Sequence, residues 1–376
     1  MTLLALLACA EPDLSEVFNV VTLEATQDAQ FAVDTLIGEI DAAQTDIALS
    51  VPGMVQTDLS DAIIQAHENG VPVQVNTDID SVGDAGIAAL IDAGVPTTLA
   101  DGEVAYFEFA FNEDVAWTSD QVIMSHTTLI TDFSSVVNAS TLSDADGWRL
   151  VWTATGENLS EDLNIEHNQI HGGSDASSLT AYSSLAKSLA DIRWLYPSDD
   201  EINLQVWLGP QERLIKRTID ASWGARANIW VMTNDFFDEG LARALQAKAR
   251  DGFDVRVVVG PDFGTTADTL SEILLEGGRI DIVQVTDGTV PTTVLVDTIR
   301  DRNGNWNSPT AMCLSHDIIS AGRFYVNSQR ETEATVTDQL VDGNMWMLEQ
   351  YGEAPSGDLA ALNDLFLTLY ESGDAL

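Results

Sequence analysis

Thr127-Thr128-Leu129-Ile130-Thr131-Asp132 returns later in the chain as Thr292-Thr293-Val294-Leu295-Val296-Asp297. Each copy closes a longer shared pattern. Before the first copy, a helix-like stretch at residues 36–43 leads into an apolar run at 47–51. A second helix-like stretch at 59–68 ends at Asn69-Gly70, and an apolar strand at 71–76 runs toward Asp78. Before the second copy the same order recurs: a helix at 214–221, a strand at 228–233, a helix at 241–250 ending at Asp251-Gly252, a strand at 254–259, then Asp262. A fixed order of matched elements across half the chain signals an internal duplication, and that reading precedes any single motif. Alternating helices and strands in each half predict an α/β fold with a mixed sheet.

The repeated order of helix, strand, helix ending in Gly, strand ending in Asp, and a later apolar strand carrying Asp resembles the phospholipase D superfamily. The resemblance implies two tandem α/β domains, each a mixed β-sheet flanked by helices, related by a pseudo-twofold axis. It further implies His-x-Lys-x-x-x-x-Asp on a strand of each half, followed by Gly-Ser-x-Asn. Counting back from Asp132 puts Ser125 at the His position and Thr127 at the Lys position; counting back from Asp297 puts Val290 and Thr292 there. Both histidines and both lysines are missing. In the family, one His attacks phosphorus, the other protonates the leaving group, and the lysines hold the phosphoryl oxygens. The downstream motif is worn in both copies: Thr155-Gly156-Glu157-Asn158 keeps the Asn, and Leu314-Ser315-His316-Asp317 keeps the Ser.

Phosphoryl transfer needs positioned charge and a nucleophile matched to the working pH. Ser125 lacks an evident base, Val290 does neither acid nor base chemistry, and Thr replaces both cations. His126 lies one residue beyond the expected position, and on a strand that step turns a side chain to the opposite face. The expectation is a pseudoenzyme that uses the old inter-domain cleft to bind an unknown ligand. The alternatives are a working phosphodiesterase or phospholipase with groups drawn from Ser125, His126, Asp132, His316 and Asp297, and a structural envelope protein with no ligand.

Among 376 residues, 16 basic side chains face 60 acidic ones, for a formal net charge of −44. No Lys or Arg precedes Arg149, and lysine occurs only at Lys187, Lys216 and Lys248. Such a surface repels polyanions, so nucleic acid is not expected as a partner. The acidity fits a saline habitat, where dense charge keeps a protein soluble, or a surface that binds cations. Asp78-Ile79-Asp80-Ser81-Val82-Gly83-Asp84 and Asp144-Ala145-Asp146-Gly147 have carboxylate spacing that calcium accepts, yet neither completes a twelve-residue loop with its closing Glu. His167 and His171 stand four apart, but the repeat alignment sets them against residues 341–346, a strand region, where that spacing does not chelate zinc. No metal and no cofactor are expected.

Leu6-Leu7-Ala8-Cys9 resembles a bacterial lipobox in which Cys9 is lipidated, and Ala10-Glu11-Pro12-Asp13 turns polar at once, as a tether would. The positive leader and long apolar core of a secretory signal are missing, so either a start lies upstream of Met1 or the likeness is accidental. The lipoprotein reading is preferred, because the chain has only two cysteines and one sits where the lipobox wants it. The expected location is extracytoplasmic, with membrane contact only through that lipid, since no segment reaches transmembrane length. Cys313 reads as a small buried hydrophobe.

The expected organisation is a signal and tether at 1–16, one domain at 17–196, a polar joint at 197–201, and a second domain at 202–376. Two insertions, at 134–147 and 301–306, are expected near the cleft mouth, and a closing amphipathic helix at 359–370. Phe107, Phe109 and Phe111 alternate at the strand period, which suits an added packing strand.

Overall fold

The computed structural model describes residues 20–100, 104–108, 114–118, 122–140, 142, 146–171, 202–209, 214–236, 238–261, 263, 279–318 and 340–376. Cys9, the joint at 197–201, Asp144, Asp262 and residues 109–111 lie outside them.

In the first half the strands are β1 (Val20–Thr26), β2 (Ile47–Val51), β3 (Val73–Asp78), β4 (Thr97–Ala100), a hairpin of β5 (Val104–Glu108) and β6 (Asp114–Thr118), β7 (Val122–Met124), β8 (Thr127–Thr131), β9 (Ser135–Ala139) and β10 (Arg149–Thr155). The second half contributes β11 (Ile202–Leu208), β12 (Asn228–Thr233), β13 (Asp254–Val259), β14 (Asp281–Gln284), β15 (Thr293–Val296), β16 (Thr310–Leu314), β17 (Leu340–Asp342), β18 (Asn344–Gln350) and β19 (Asp374–Ala375). The helices are α1 (Ala29–Ala42), α2 (Thr57–Glu68), α3 (Ala85–Asp92), α4 (Glu157–His171), α5 (Leu214–Gly224), α6 (Glu239–Arg250) and α7 (Gly357–Ser372).

The duplication is visible in the strand order. One sheet has seven strands in the order β1-β10-β9-β8-β2-β3-β4, and the other has the matching order β11-β18-β16-β15-β12-β13-β14 with β19 added at its edge. Both are mixed: β2, β3 and β4 run parallel, as do β12, β13 and β14, while the other side is antiparallel. Helix ends repeat too. Gly70 and Gly252 adopt positive φ, 89° and 80°, and the next residue's N–H returns to the helix, Val71 to Ala66 and Phe253 to Lys248. That is the αL termination which glycine alone takes without strain.

Apolar periodicity decides which face each helix buries. Leu36 and Ile40 of α1, Leu59 and Ile63 of α2, and Ile87 and Leu90 of α3 cover the outer face of the first sheet. On the second sheet, Ile215 and Ile219 of α5 and Leu241 and Leu245 of α6 do the same. The inner faces meet in one shared core that joins Ile130 and Trp152 to Trp230, Leu295 and Trp346, with Leu163 of α4 and Phe366 of α7 added. Trp152 pairs with Asn138 and Leu23, and Trp346 with Cys313 and Val206, so they hold the same place in their sheets. Their rings stack at 5.1 Å across the interface. Cys313 sits in this core as a free thiol, pushed up to about 12 by burial.

Four expectations change. Residues 166–171 belong to a helix, α4, and not to a strand; its counterpart is α7, which also follows the last long strand of its half. Thr155-Gly156-Glu157-Asn158 and Leu314-Ser315-His316-Asp317 are not equivalent: the first follows β10, while the second follows β16, the counterpart of β9. Residues 135–139 form β9 and are no insertion. The loop at 301–306 lies at the end of the sheet away from the cleft mouth, where Arg302 donates to the carbonyls of Asp251 and Gly252 at 3.1 and 2.5 Å. Spacing read without knowing which strands are neighbours had shifted these registers. The closing helix, by contrast, runs as α7 over the expected residues.

Candidate functional site

The central strands β8 and β15 each carry an Asp at one end and open toward the cleft at the other. Asp132 has φ 52° and Asp297 φ 56°. The carboxylate of Asp132 accepts the backbone N–H groups of Gln44, Thr45 and Asp46, and that of Asp297 accepts those of Arg226 and Ala227, both at 2.7 Å. Burial alone pushes the Asp132 carboxyl up, but the Thr45 and Gln44 N–H groups, the Thr45 hydroxyl and the Asp46 N–H outweigh it and hold it below its ordinary value. Both aspartates tie strand ends together and stand away from the cleft, so neither is a candidate for chemistry.

The open ends of the strands hold the other expected positions. Just before β8, Ser125 Oγ lies 3.2 Å from Ser315 Oγ, which joins the two halves directly. Ser315 Oγ also accepts the Asn344 N–H at 2.9 Å. Thr127 is buried, and Asn138 donates to its carbonyl and to the Thr128 hydroxyl. Before β15, Val290 is 2% exposed, and Asn234 clamps its backbone by accepting its N–H at 2.7 Å and donating to its carbonyl at 3.0 Å. Thr292 Oγ1 donates to Asp317 Oδ1 at 3.1 Å. Asn158 is the second residue of α4, and its side chain lies outside the described residues.

Three further residues complete the site: His316, already an alternative catalytic group in the sequence, and Asp317 and Gly343, which the sequence did not single out. Asp317 Oδ1 collects four hydrogen bonds, from the backbone and side-chain amides of Asn234 and from the hydroxyls of Thr292 and Thr233. Burial pushes its carboxyl above the ordinary value against the pull of those donors. His316, beside it, is pushed down to about 4 by burial and then by the charge of His126. Gly343 is the third. A Cβ there would stand 2.7 Å from His316 Nδ1, 2.8 Å from Ser125 Oγ and 2.9 Å from Ser315 Oγ, closer than real contacts allow, so only glycine lets these groups converge.

His126 is 4% exposed and lies on the inter-sheet face of β8 with Thr128 and Ile130. There it meets α4. His167 Nδ1 is within hydrogen-bond reach of Ser50 Oγ and Asn76 Nδ2, both at 3.1 Å, and His171 Nδ1 reaches Asn76 Oδ1 at 2.9 Å and Thr98 Oγ1 at 3.0 Å. The two rings stack at 5.7 Å. Burial, then the charges of His171 and His126, pushes His167 down to about 3, and burial lowers His171. Asp78 and Asp84, from the calcium-like stretch, accept the backbone N–H groups of Asp80, Met124 and Met54. Among the described residues no three His, Cys, Asp or Glu side chains converge as a metal site.

A cavity of about 200 Å³ opens between the sheets, lined by Ser140 and Trp148 of the first half and by Val290, Thr292, Ser315, His316 and Asp317 of the second, among others. Among the described residues no Lys or Arg lines it. The Trp148 N–H donates to the Thr289 carbonyl at 2.9 Å, and the Thr289 N–H to the Asp146 carbonyl at 2.9 Å, so one loop of the first half is stitched to the cavity wall of the second.

No family profile matches the sequence, and no curated protein matches it. Solved structures do. Phosphatidylserine synthase from Haemophilus influenzae Rd KW20 superposes with a TM-score of 0.63 at 10% identity, over 94% of this chain and 87% of that one. Polyphosphate kinase from Porphyromonas gingivalis gives 0.58 at 9% identity, over 93% of this chain but only 50% of the longer protein. The phospholipase D family member Nuc from Salmonella typhimurium covers 40% of this chain at 17% identity, with a TM-score of 0.30. The chain has a phospholipase D-like fold, with two tandem domains. Likeness at these identities speaks for the fold alone.

Proposed function

We propose that this chain is a phospholipase D-like protein that does not turn over phosphodiesters and acts as a binding or scaffold module through the cleft between its sheets, outside the cytoplasm. One observation carries the reading. Where the second half needs an acid or base and a cation, the cavity presents Val290 and Thr292, and Thr292 donates to the Asp317 carboxylate in the same wall. A phosphoryl group entering there meets a negative charge and, among the described residues, no Lys or Arg, the reverse of what its transition state requires. The extracytoplasmic part rests on the lipobox-like residues before Cys9; fatty-acid labelling that persists in Cys9→Ala would count against it.

A second reading has its own observation. His126, which is buried, and His316, which is half-buried, come from opposite halves among the cleft residues, and His316 feels the charge of His126. Burial keeps His316 neutral near neutral pH, the form that accepts a proton. The two readings separate in one experiment. Purified chain is assayed with bis(p-nitrophenyl) phosphate and phosphatidylcholine vesicles from about pH 4 to 9, bracketing the ordinary His value. The expected outcome is no release above buffer. Turnover that survives repurification and disappears in His126→Ala or His316→Ala establishes the enzyme and removes the first reading.

A further inference from the structure

We infer that the cavity between the sheets is a subsite for a small organic ammonium ion, held by the Asp317 carboxylate beside Trp148. The inference rests on the cleft being a binding site and adds the class of ligand. The carboxylate is built for this. All four hydrogen bonds to Asp317 converge on Oδ1, which fixes the group in place, while Oδ2 takes none of them and the residue lines the cavity. A carboxylate held by neutral donors keeps its charge unneutralised, so the site lacks a cation that a ligand would supply.

The lining separates the possible ligands. Anions are disfavoured, since among the described residues no Lys or Arg lines the cavity and burial keeps His316 uncharged near neutral pH. Hard metal ions are disfavoured as well: calcium takes about six to eight oxygens and magnesium wants an octahedron, whereas among the described residues no three metal-binding side chains converge. An ammonium group needs less. One carboxylate and a few hydroxyls satisfy its donors, and Ser140 and Ser315 stand in the wall. Val290, Pro291 and Leu314 offer apolar surface to a short alkyl part. Trp148 lines the same space, where an aromatic ring adds cation–π attraction.

Size narrows the class. About 200 Å³ is below the range of roughly 300–1,000 Å³ that drug-sized ligands occupy, so the occupant is an amine of a few heavy atoms or the ammonium end of something longer. The net charge of −44 also concentrates cations at the surface and steers them inward.

The test titrates the full chain with ethanolamine, with ethylene glycol as an uncharged partner of similar size, and with inorganic phosphate, at about 0.15 M salt to screen surface charge. Calorimetry and melting temperature are read together. Ethanolamine is expected to bind and to raise the melting temperature, and the other two are not. Asp317→Asn is expected to weaken ethanolamine binding about tenfold or more. Absence of ethanolamine binding, equal binding of ethylene glycol, or undiminished affinity in Asp317→Asn overturns the assignment. Should Asp317→Asn fail to fold, Trp148→Leu takes its place, since it leaves the four bonds to Asp317 intact; unchanged ethanolamine affinity there overturns the assignment equally. Phosphodiester turnover would instead count against the binding-module reading, so the two failures are distinguishable.

Discussion

The two halves agree at one end of their central strands and differ at the other. Asp132 and Asp297 share the left-handed backbone, the position after an apolar strand and the same work, collecting the N–H groups that precede β2 and β12. At the open ends, Ser125-His126-Thr127 of the first half corresponds to Val290-Pro291-Thr292 of the second, and only the threonine is shared. An unpaired backbone N–H costs stability in either copy, so the group that satisfies it is held in both. A side chain that lines a cavity answers only to what enters. The divergence is lopsided, because the second half supplies most of the cavity wall and its carboxylate.

The comparison is tested most strongly where the halves touch. Trp152 and Trp346 occupy the same register position and stack on each other. Either Trp→Ala substitution is expected to cost about 3–5 kcal/mol in denaturant unfolding, by losing buried area and opening a void. The double variant should lose clearly less than the sum, as the two share one contact. Simple additivity would show that the rings do not stabilise the chain as a pair.

The strand-end aspartates come next, and here the halves should separate. Asp297 is 5% exposed, and one of its donors, Ala227, is buried. Asp297→Ala is expected to cost about 2–4 kcal/mol, by stranding N–H groups and leaving Ala at positive φ. Asp132→Ala should cost less, because Gln44 and Thr45 are exposed and water replaces the carboxylate. Equal losses would mean that the two strand ends are not differently buried.

Acid gives a smaller, graded effect. His167 and His316 have folded-state values of about 3 and about 4 against an ordinary 6.5, so below pH 6.5 the unfolded chain binds protons that the folded chain refuses. Stability therefore falls as pH drops from about 6.5 toward 4, by up to roughly 1.4 kcal/mol per pH unit for each histidine. The raised Asp317 carboxyl opposes this, since above 3.8 the folded chain holds its proton more tightly. His167→Gln and His316→Gln should each flatten the slope of melting temperature against pH. If only one does, the acid response belongs to a single half.

Much of this was legible in the chain because it is local. The apolar runs at 47–51, 228–233 and 254–259 are the strands β2, β12 and β13. Asn69-Gly70 and Asp251-Gly252 end helices, since a backbone with positive φ is a property of one or two residues. Where a reading needed to know which strands are neighbours, it slipped. His167 and His171 were set against a strand although they lie on α4, and Asn158 was matched to a motif one strand away from its true counterpart. The face of His126 was legible, because strand alternation is local, but not that this face looks into the other half.

The amino-acid sequence by itself determined the duplication, the pair of strand-end aspartates and the absence of cations at Ser125, Thr127, Val290 and Thr292, because each is carried by residue type and short-range spacing. The tertiary structure alone decided that Ser125 meets Ser315 across 190 residues, that Gly343 makes room for both beside His316, and that Asp317 rather than either repeated aspartate carries charge into the cleft. The physical reason is that strand pairing and the packing of one sheet on another are set by buried area summed over the whole interface, which no local pattern encodes.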